Sequence, residues 1–140
     1  MAFAGLNLLA VLVAAIASFL FGGVWYGIFS RQWLAAVNFE EKTRNSAAWR
    51  VNAVPLIIAL LAQLLMAYVL AGVIGHLGVG QVTVRNSIIS AAIVWAGFVM
   101  TTLVVGHSFQ GAKRALTFID GGHWLGVLLI QGAVIGWLGV

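Results

Sequence analysis

The sequence predicts an all-α integral membrane protein: four transmembrane helices in one bundle, with a short interfacial amphipathic helix after the first span. Three observations carry this expectation. The 140 residues are 63% hydrophobic and only 7% charged, whereas about a quarter of a typical soluble domain is charged. Mean hydropathy is +1.09. Apolar runs occur at about 5–29, 52–77, 86–109 and 114–139, each at or above the roughly 20 residues that cross a bilayer core. The length allows one bundle-sized domain, residues 1–140.

The first run contains Ala15-Ile16-Ala17, which looks like a small-residue cleavage site. No Lys or Arg precedes it and the apolar stretch continues well beyond, so it reads as a retained helix rather than a signal peptide. The linker that follows, "SRQWLAAVNFEEKTRNSAAWR", is too polar to span. Within it, Asn38 with Glu41 three residues later resembles a capping box, and Glu40 and Glu41 suit a first helical turn. Trp33 and Trp49 flank the segment at headgroup level. These features predict the interfacial helix within about 31–50. Pro55 falls in the first turn of the second span, where its missing N–H costs little.

Charge sets the expected orientation. The linkers after spans one and three share a side and hold Arg31, Lys42, Arg44, Arg50, Lys113 and Arg114, whereas the other side holds only Arg85. This positive-inside pattern predicts cytoplasmic linkers, with both termini outside the cytoplasm. The net charge of +4 is thus a topology signal. No basic run with interleaved aromatics points to nucleic acid, and none is expected as a partner. The absence of cysteine removes disulfide, thiolate and Cys-metal chemistry. No nucleophile–base arrangement, phosphate loop or zinc-protease motif is present. The sequence therefore predicts no catalytic residue, no cofactor and no metal.

The stretch "TFIDGGHWLGVLLIQG" carries what chemistry there is. On a helical wheel with Asp120 at zero, Gln131 falls at about +20°, Trp124 at about +40° and His123 at about −60°. The glycines Gly121, Gly122, Gly126, Gly132, Gly136 and Gly139 gather between about 100° and 240°. Gly122/Gly126 and Gly132/Gly136 are both G-x-x-x-G pairs, which let backbones approach closely. Ala14, Ser18 and Gly22 in span one, and Ala67, Ala71 and Gly75 in span two, supply matching small-residue stripes. These predict packing seams within the bundle, with a homo-oligomer interface as the alternative.

Asp, Gln and His are expensive in hydrocarbon, so the polar face should point into the bundle or a wet cavity. Asn52, Ala59, Gln63 and Ala67 form a facing stripe on span two. Counted from the cytoplasmic ends, Asp120, His123 and Gln63 lie about 9, 14 and 16 Å deep. Trp25 and Tyr26 stand near the same end of span one. The expectation is a ligand pocket in the cytoplasmic half, built from Asp120, His123, Gln63, Asn52, Trp25, Tyr26 and Trp124. Asp120 and His123, at i and i+3, can meet as a hydrogen-bonded pair or as a titrating pair in a proton path. A metal triad would need His107 to turn inward, and His76 near the outer end reads as interfacial.

The pieces "LNLLAVLVAAIASFLFGGVWYG", "MAYVLAGVI", "WAGFVMTTLVVGHSF" and "ALTFIDGGHWLGVLLIQGAVIGWLG" resemble the bacterial membrane family called domain of unknown function 1761. The resemblance covers all four spans in order, most specifically at Trp25-Tyr26 and Ile119 to Gly136. It implies a four-span inner-membrane protein without an established activity. The chain departs from the family pattern in lacking a Ser-Pro-like insertion after Trp25-Tyr26, and in carrying Asp120 and His123 where members more often have Asn and Tyr. Asn52-Ala53-Val54-Pro55 is also similar to part of the Asn-x-x-Pro signature of the trimeric membrane glutathione-transferase superfamily, with Val51 where that family has Glu.

The leading expectation is a non-enzymatic protein that binds a lipid or small amphiphile, or packs as a subunit of a larger membrane complex. Membrane lipids and further copies of the chain are the expected partners. A small channel or proton-coupled transporter is the first alternative, and a glutathione-transferase-like enzyme the second.

Overall fold

The computed structural model describes residues 5–37 and 53–140. The first helix, α1 (Leu8–Ile28), begins where the Asn7 side-chain oxygen accepts the Ala10 N–H at 3.1 Å. That bond satisfies one of the donors every helix start leaves open. The Asn7 amide also donates to the Leu138 carbonyl at 3.2 Å. One residue thus caps the start of the first span and ties down the end of the last.

After Phe29 the chain turns into a short helix, α2 (Ser30–Ala36), with no side-chain cap. It starts well before the Asn38–Glu41 box that the sequence offered as a helix start. Asn38, Glu40, Glu41, Trp49 and Asn52 lie outside the described residues. What fixes α2 is tertiary: Lys113 donates its ammonium to the Ala35 carbonyl at 2.9 Å, a cation on a helix C-terminus. Trp33 meets the Tyr26 ring edge-on at 6.2 Å. The two basic linkers therefore touch at one end of the bundle.

The next two helices are α3 (Ala53–Gly75) and α4 (Val84–Phe109). Pro55 stands in the first turn of α3. Thr83 caps α4 through its hydroxyl, which accepts the Asn86 N–H at 3.2 Å. The helix is α through Val94, widens to a π turn over Trp95–Met100, and resumes as α over Thr101–Phe109. A widened turn displaces carbonyls, which in hydrocarbon must find donors. Thr101 donates its hydroxyl to the Gly97 carbonyl at 2.9 Å, and Thr102 donates to that of Phe98. The last helix, α5 (Arg114–Leu138), ends at Gly139, whose φ of 88° only glycine adopts easily and whose N–H returns to the Ile135 carbonyl at 2.8 Å.

The bundle is built around α5, which packs on both α1 and α4, while α1 also packs on α3. The core is small-grained: Val11, Ala14, Ala15, Ala67, Ala71 and Ala91 are buried beside Leu70, Ile74, Leu128 and Ile135. Small residues suit a setting where association rests on close packing rather than escape from water. The outer faces carry exposed Leu12, Ile16, Leu20, Ile57, Leu61, Leu65, Ile93 and Phe98, the belt a hydrocarbon solvent requires. Four helices long and apolar enough to cross a membrane fit a multi-pass membrane protein.

The two G-x-x-x-G pairs of α5 serve different neighbours. A Cβ on Gly132 would lie 2.8 Å from the Ser87 carbonyl oxygen, and one on Gly136 would lie 2.7 Å from that of Thr83. Here α4 approaches backbone to backbone. Gly122 and Gly126 instead receive the Trp25 and Phe21 rings of α1. On α1 itself Ala14 and Ser18 are fully buried, and Gly22 makes room for His123. In α3, Ala67 and Ala71 are buried and Gly75 partly so.

Candidate functional site

The polar residues singled out on α1, α3 and α5 do not gather at one point. The structure sorts them into three places along the bundle.

Nearest the α2 end is Asp120. It accepts a hydrogen bond from the Tyr26 hydroxyl at 2.6 Å, and its second oxygen lies 3.8 Å from His107 Nε2. The other ring nitrogen of His107 is 2.8 Å from the Thr117 hydroxyl. The result is a chain running Tyr26–Asp120–His107–Thr117 across α1, α5 and α4. Sequence reasoning left His107 without a direction. Thr117 was missed, although it stands one helical turn before Asp120 on the same helix face. The order of the chain was not readable, because His107 reaches Asp120 only through the packing of α4 on α5. Beside it a groove of about 460 Å³ is lined by Met100, Val104, His107, Arg114, Thr117 and Phe118.

Two indoles hold the backbone around this carboxylate. Trp25 donates its N–H to the Ile119 carbonyl at 3.0 Å, and Trp95, from the π turn, donates to that of Gly121 at 2.9 Å. Asp120 therefore sits between two carbonyls clamped from two helices. Trp25 belongs to this clamp and covers Gly122 with its ring.

His123, one helical turn after Asp120, packs against the ring of the same Tyr26. No hydrogen bond joins His123 to Asp120; the Tyr26 hydroxyl takes the carboxylate instead. The imidazole is 5% exposed and enclosed by rings, with Tyr26 at 4.8 Å, Trp124 at 4.7 Å and Phe21 stacked at 6.3 Å. It fits because Gly22 has no side chain: a Cβ there would stand 2.8 Å from His123 Nε2. His123 Nδ1 is buried without a hydrogen-bond partner, which costs free energy unless something else compensates.

The third place is the bundle interior. Ser18 donates to the Gln63 side-chain oxygen at 2.9 Å, and Gln131 donates to the Ser18 hydroxyl and the Gln63 carbonyl, both at 3.1 Å. All three residues are at most 2% exposed. Gln63 thus bonds within α1–α3–α5 rather than to the Asp120 region, and Ser18 joins helices by hydrogen bonding as well as by smallness. The Gln131 side-chain oxygen has no hydrogen-bond partner among the described residues.

His123 and Gln63 share one further feature. Both line a cleft of about 380 Å³ between α1, α3 and α5, together with Phe19, Tyr26, Ala59 and Trp124. Leu56 and Gly23, both exposed, stand at its mouth. Among the described residues the cleft therefore opens on the side of the bundle. Phe19 and Leu56 were not foreseen; an aromatic and a leucine on an apolar span carry no signal of their own. Among the described residues no group of three His, Asp or Glu is placed to hold a metal ion.

The family described as Protein of unknown function (DUF1761) matches residues 9–136, and the chain belongs to it. Comparison with curated proteins and with solved structures gives no match.

Proposed function

We propose that this member of the DUF1761 family binds an amphiphile from the bilayer in the lateral cleft between α1, α3 and α5. The observation that carries the reading is the cleft itself. It is apolar-walled and opens beside exposed Leu56, yet it has buried His123 and Gln63 in its lining. Membrane proteins place such polar groups away from lipid because they are costly there. A wall that keeps two of them beside a lipid-side opening is built to meet a polar atom carried on an apolar body. The activity is non-enzymatic binding, in a bacterial inner membrane with both termini outside the cytoplasm. The chain acts alone, as a homo-oligomer or within a larger membrane complex.

Lipid retention tests this. After exchange into a lipid-free detergent, mass spectrometry of the wild-type protein should find a near-stoichiometric amphiphile. Ala59→Trp, which fills the cleft from α3, should release it while the protein stays folded. Equal retention by both would place the lipid elsewhere and remove the proposal.

A second reading rests on a separate observation, the run Tyr26–Asp120–His107–Thr117. Tyr, Asp and His side chains in sequence within a bundle are groups through which a proton can be relayed. Proton flux into protein-loaded liposomes, abolished by Asp120→Asn, would favour this small-transporter reading over binding alone.

A further inference from the structure

The geometry points to a neutral lipid with a flat, carbonyl-bearing ring, the chemistry of a prenylated quinone, as the occupant of the lateral cleft. This rests on the reading that the cleft takes an amphiphile, and it names which kind.

The polar groups in the wall offer donors. The Gln63 side-chain oxygen already accepts from Ser18 and its backbone carbonyl accepts from Gln131, whereas its amide NH₂ makes no hydrogen bond among the described residues. Gln63 is only 2% exposed and lines the cleft, so a ligand seated there would give that amide a partner. His123 adds a second donor. A proton on its sealed Nδ1 would be a buried N–H with no acceptor, so the tautomer carrying hydrogen on Nε2 is favoured. That nitrogen lies against Gly22, itself part of the cleft wall. Two donors in one apolar wall select an acceptor, and a carbonyl oxygen is the simplest acceptor without charge.

Charge is selected against. Among the described residues the lining of the cleft, which includes Phe19, Tyr26, Leu56, Gln63, His123 and Trp124, holds no Lys, Arg, Asp or Glu. A phosphate or carboxylate would find no counter-ion among those residues and would lose its hydration. Shape selects further. Phe19, Tyr26 and Trp124 contribute rings, and the Tyr26 hydroxyl is committed to Asp120, so Tyr26 presents a ring rather than a donor. Aromatic walls favour a flat ring in offset or edge contact over a mobile acyl chain.

The test uses the full chain in lipid nanodiscs, with equilibrium dialysis of three probes: a decyl-substituted benzoquinone, decylbenzene and oleate. The quinone and decylbenzene share a ring and a chain and differ in the carbonyls. Two hydrogen bonds should make the quinone bind about tenfold tighter or more, and oleate should bind weakest. Gln63→Leu should cut the preference for the quinone over decylbenzene to about threefold or less. Where that variant fails to fold, the preference of the wild-type protein decides by itself. Equal affinity for quinone and decylbenzene, or tightest binding of oleate, would overturn the ligand class and leave the amphiphile reading standing. Binding of none of the three would remove both.

Discussion

At the scale of single residues, Asp120 is the most informative position. Its carboxylate is held by Tyr26 and faces His107, so its role can be read from two substitutions. Asp120→Asn keeps an oxygen for the Tyr26 hydroxyl and should be nearly silent in thermal stability. Asp120→Leu leaves that hydroxyl without its acceptor and should destabilise by roughly 1–3 kcal/mol. Tyr26→Phe removes the same bond from the other side. In a double-mutant cycle, Tyr26→Phe with Asp120→Leu should cost less than the two single changes summed. Strict additivity would mean that the 2.6 Å contact contributes nothing. A proton-path role predicts a different split, with Asn as damaging to flux as Leu while stability is unchanged. The composition of this site was legible in the sequence, since Asp120, Tyr26 and Trp25 all stand out from an apolar background. Its pairing was not. Asp120 and His123 are neighbours on a helix surface, yet which one meets α1 at a hydroxyl and which enters the ring cluster depends on how α1 crosses α5.

At the scale of elements, the glycines of α5 separate into two kinds with different consequences. Gly132 and Gly136 face the backbone of α4 around Thr83–Ser87, and a backbone cannot step aside. Gly136→Ala should therefore lower stability by about 1–3 kcal/mol through overpacking. Gly126 faces the far end of the Phe21 ring, which can swing toward lipid, so Gly126→Ala should cost clearly less. Melting midpoints of the two variants in one detergent check the ranking, and the reverse order would show that the α4 seam is the softer one. Sequence spacing marked both pairs as sites of close approach but could not assign partners. The π turn of α4 was equally unreadable. The groups that serve its displaced carbonyls, Thr101 to Gly97 and Thr102 to Phe98, look in the sequence like two ordinary threonines.

At the scale of the whole molecule, the charge distribution predicts one orientation. Reporter fusions at residues 45 and 112 should give cytoplasmic signals, and a fusion at the C-terminus an external one. The Lys113–Ala35 contact joins the two basic linkers at one end of the bundle, as a shared side requires. A cytoplasmic C-terminus would invert the sidedness of the Asp120 chain with it.

The sequence by itself determined the solvent, the number of spans, the family and most of the residues able to do chemistry. Each of those follows from local composition: apolar runs of spanning length cross hydrocarbon as helices that pair their own backbone groups, and against that background every Asp, His or Gln is conspicuous. Only the tertiary structure decided how those residues combine. It sent Asp120 to Tyr26 and His107, gave Gln63 to Ser18 and Gln131, and left His123 in the wall of a lateral cleft. Helix periodicity fixes directions around one axis, whereas a site is set by the crossings and depths of several axes. Those are chosen by the contact surfaces of whole helices, here the glycine seams of α5, and no single stretch of sequence contains them.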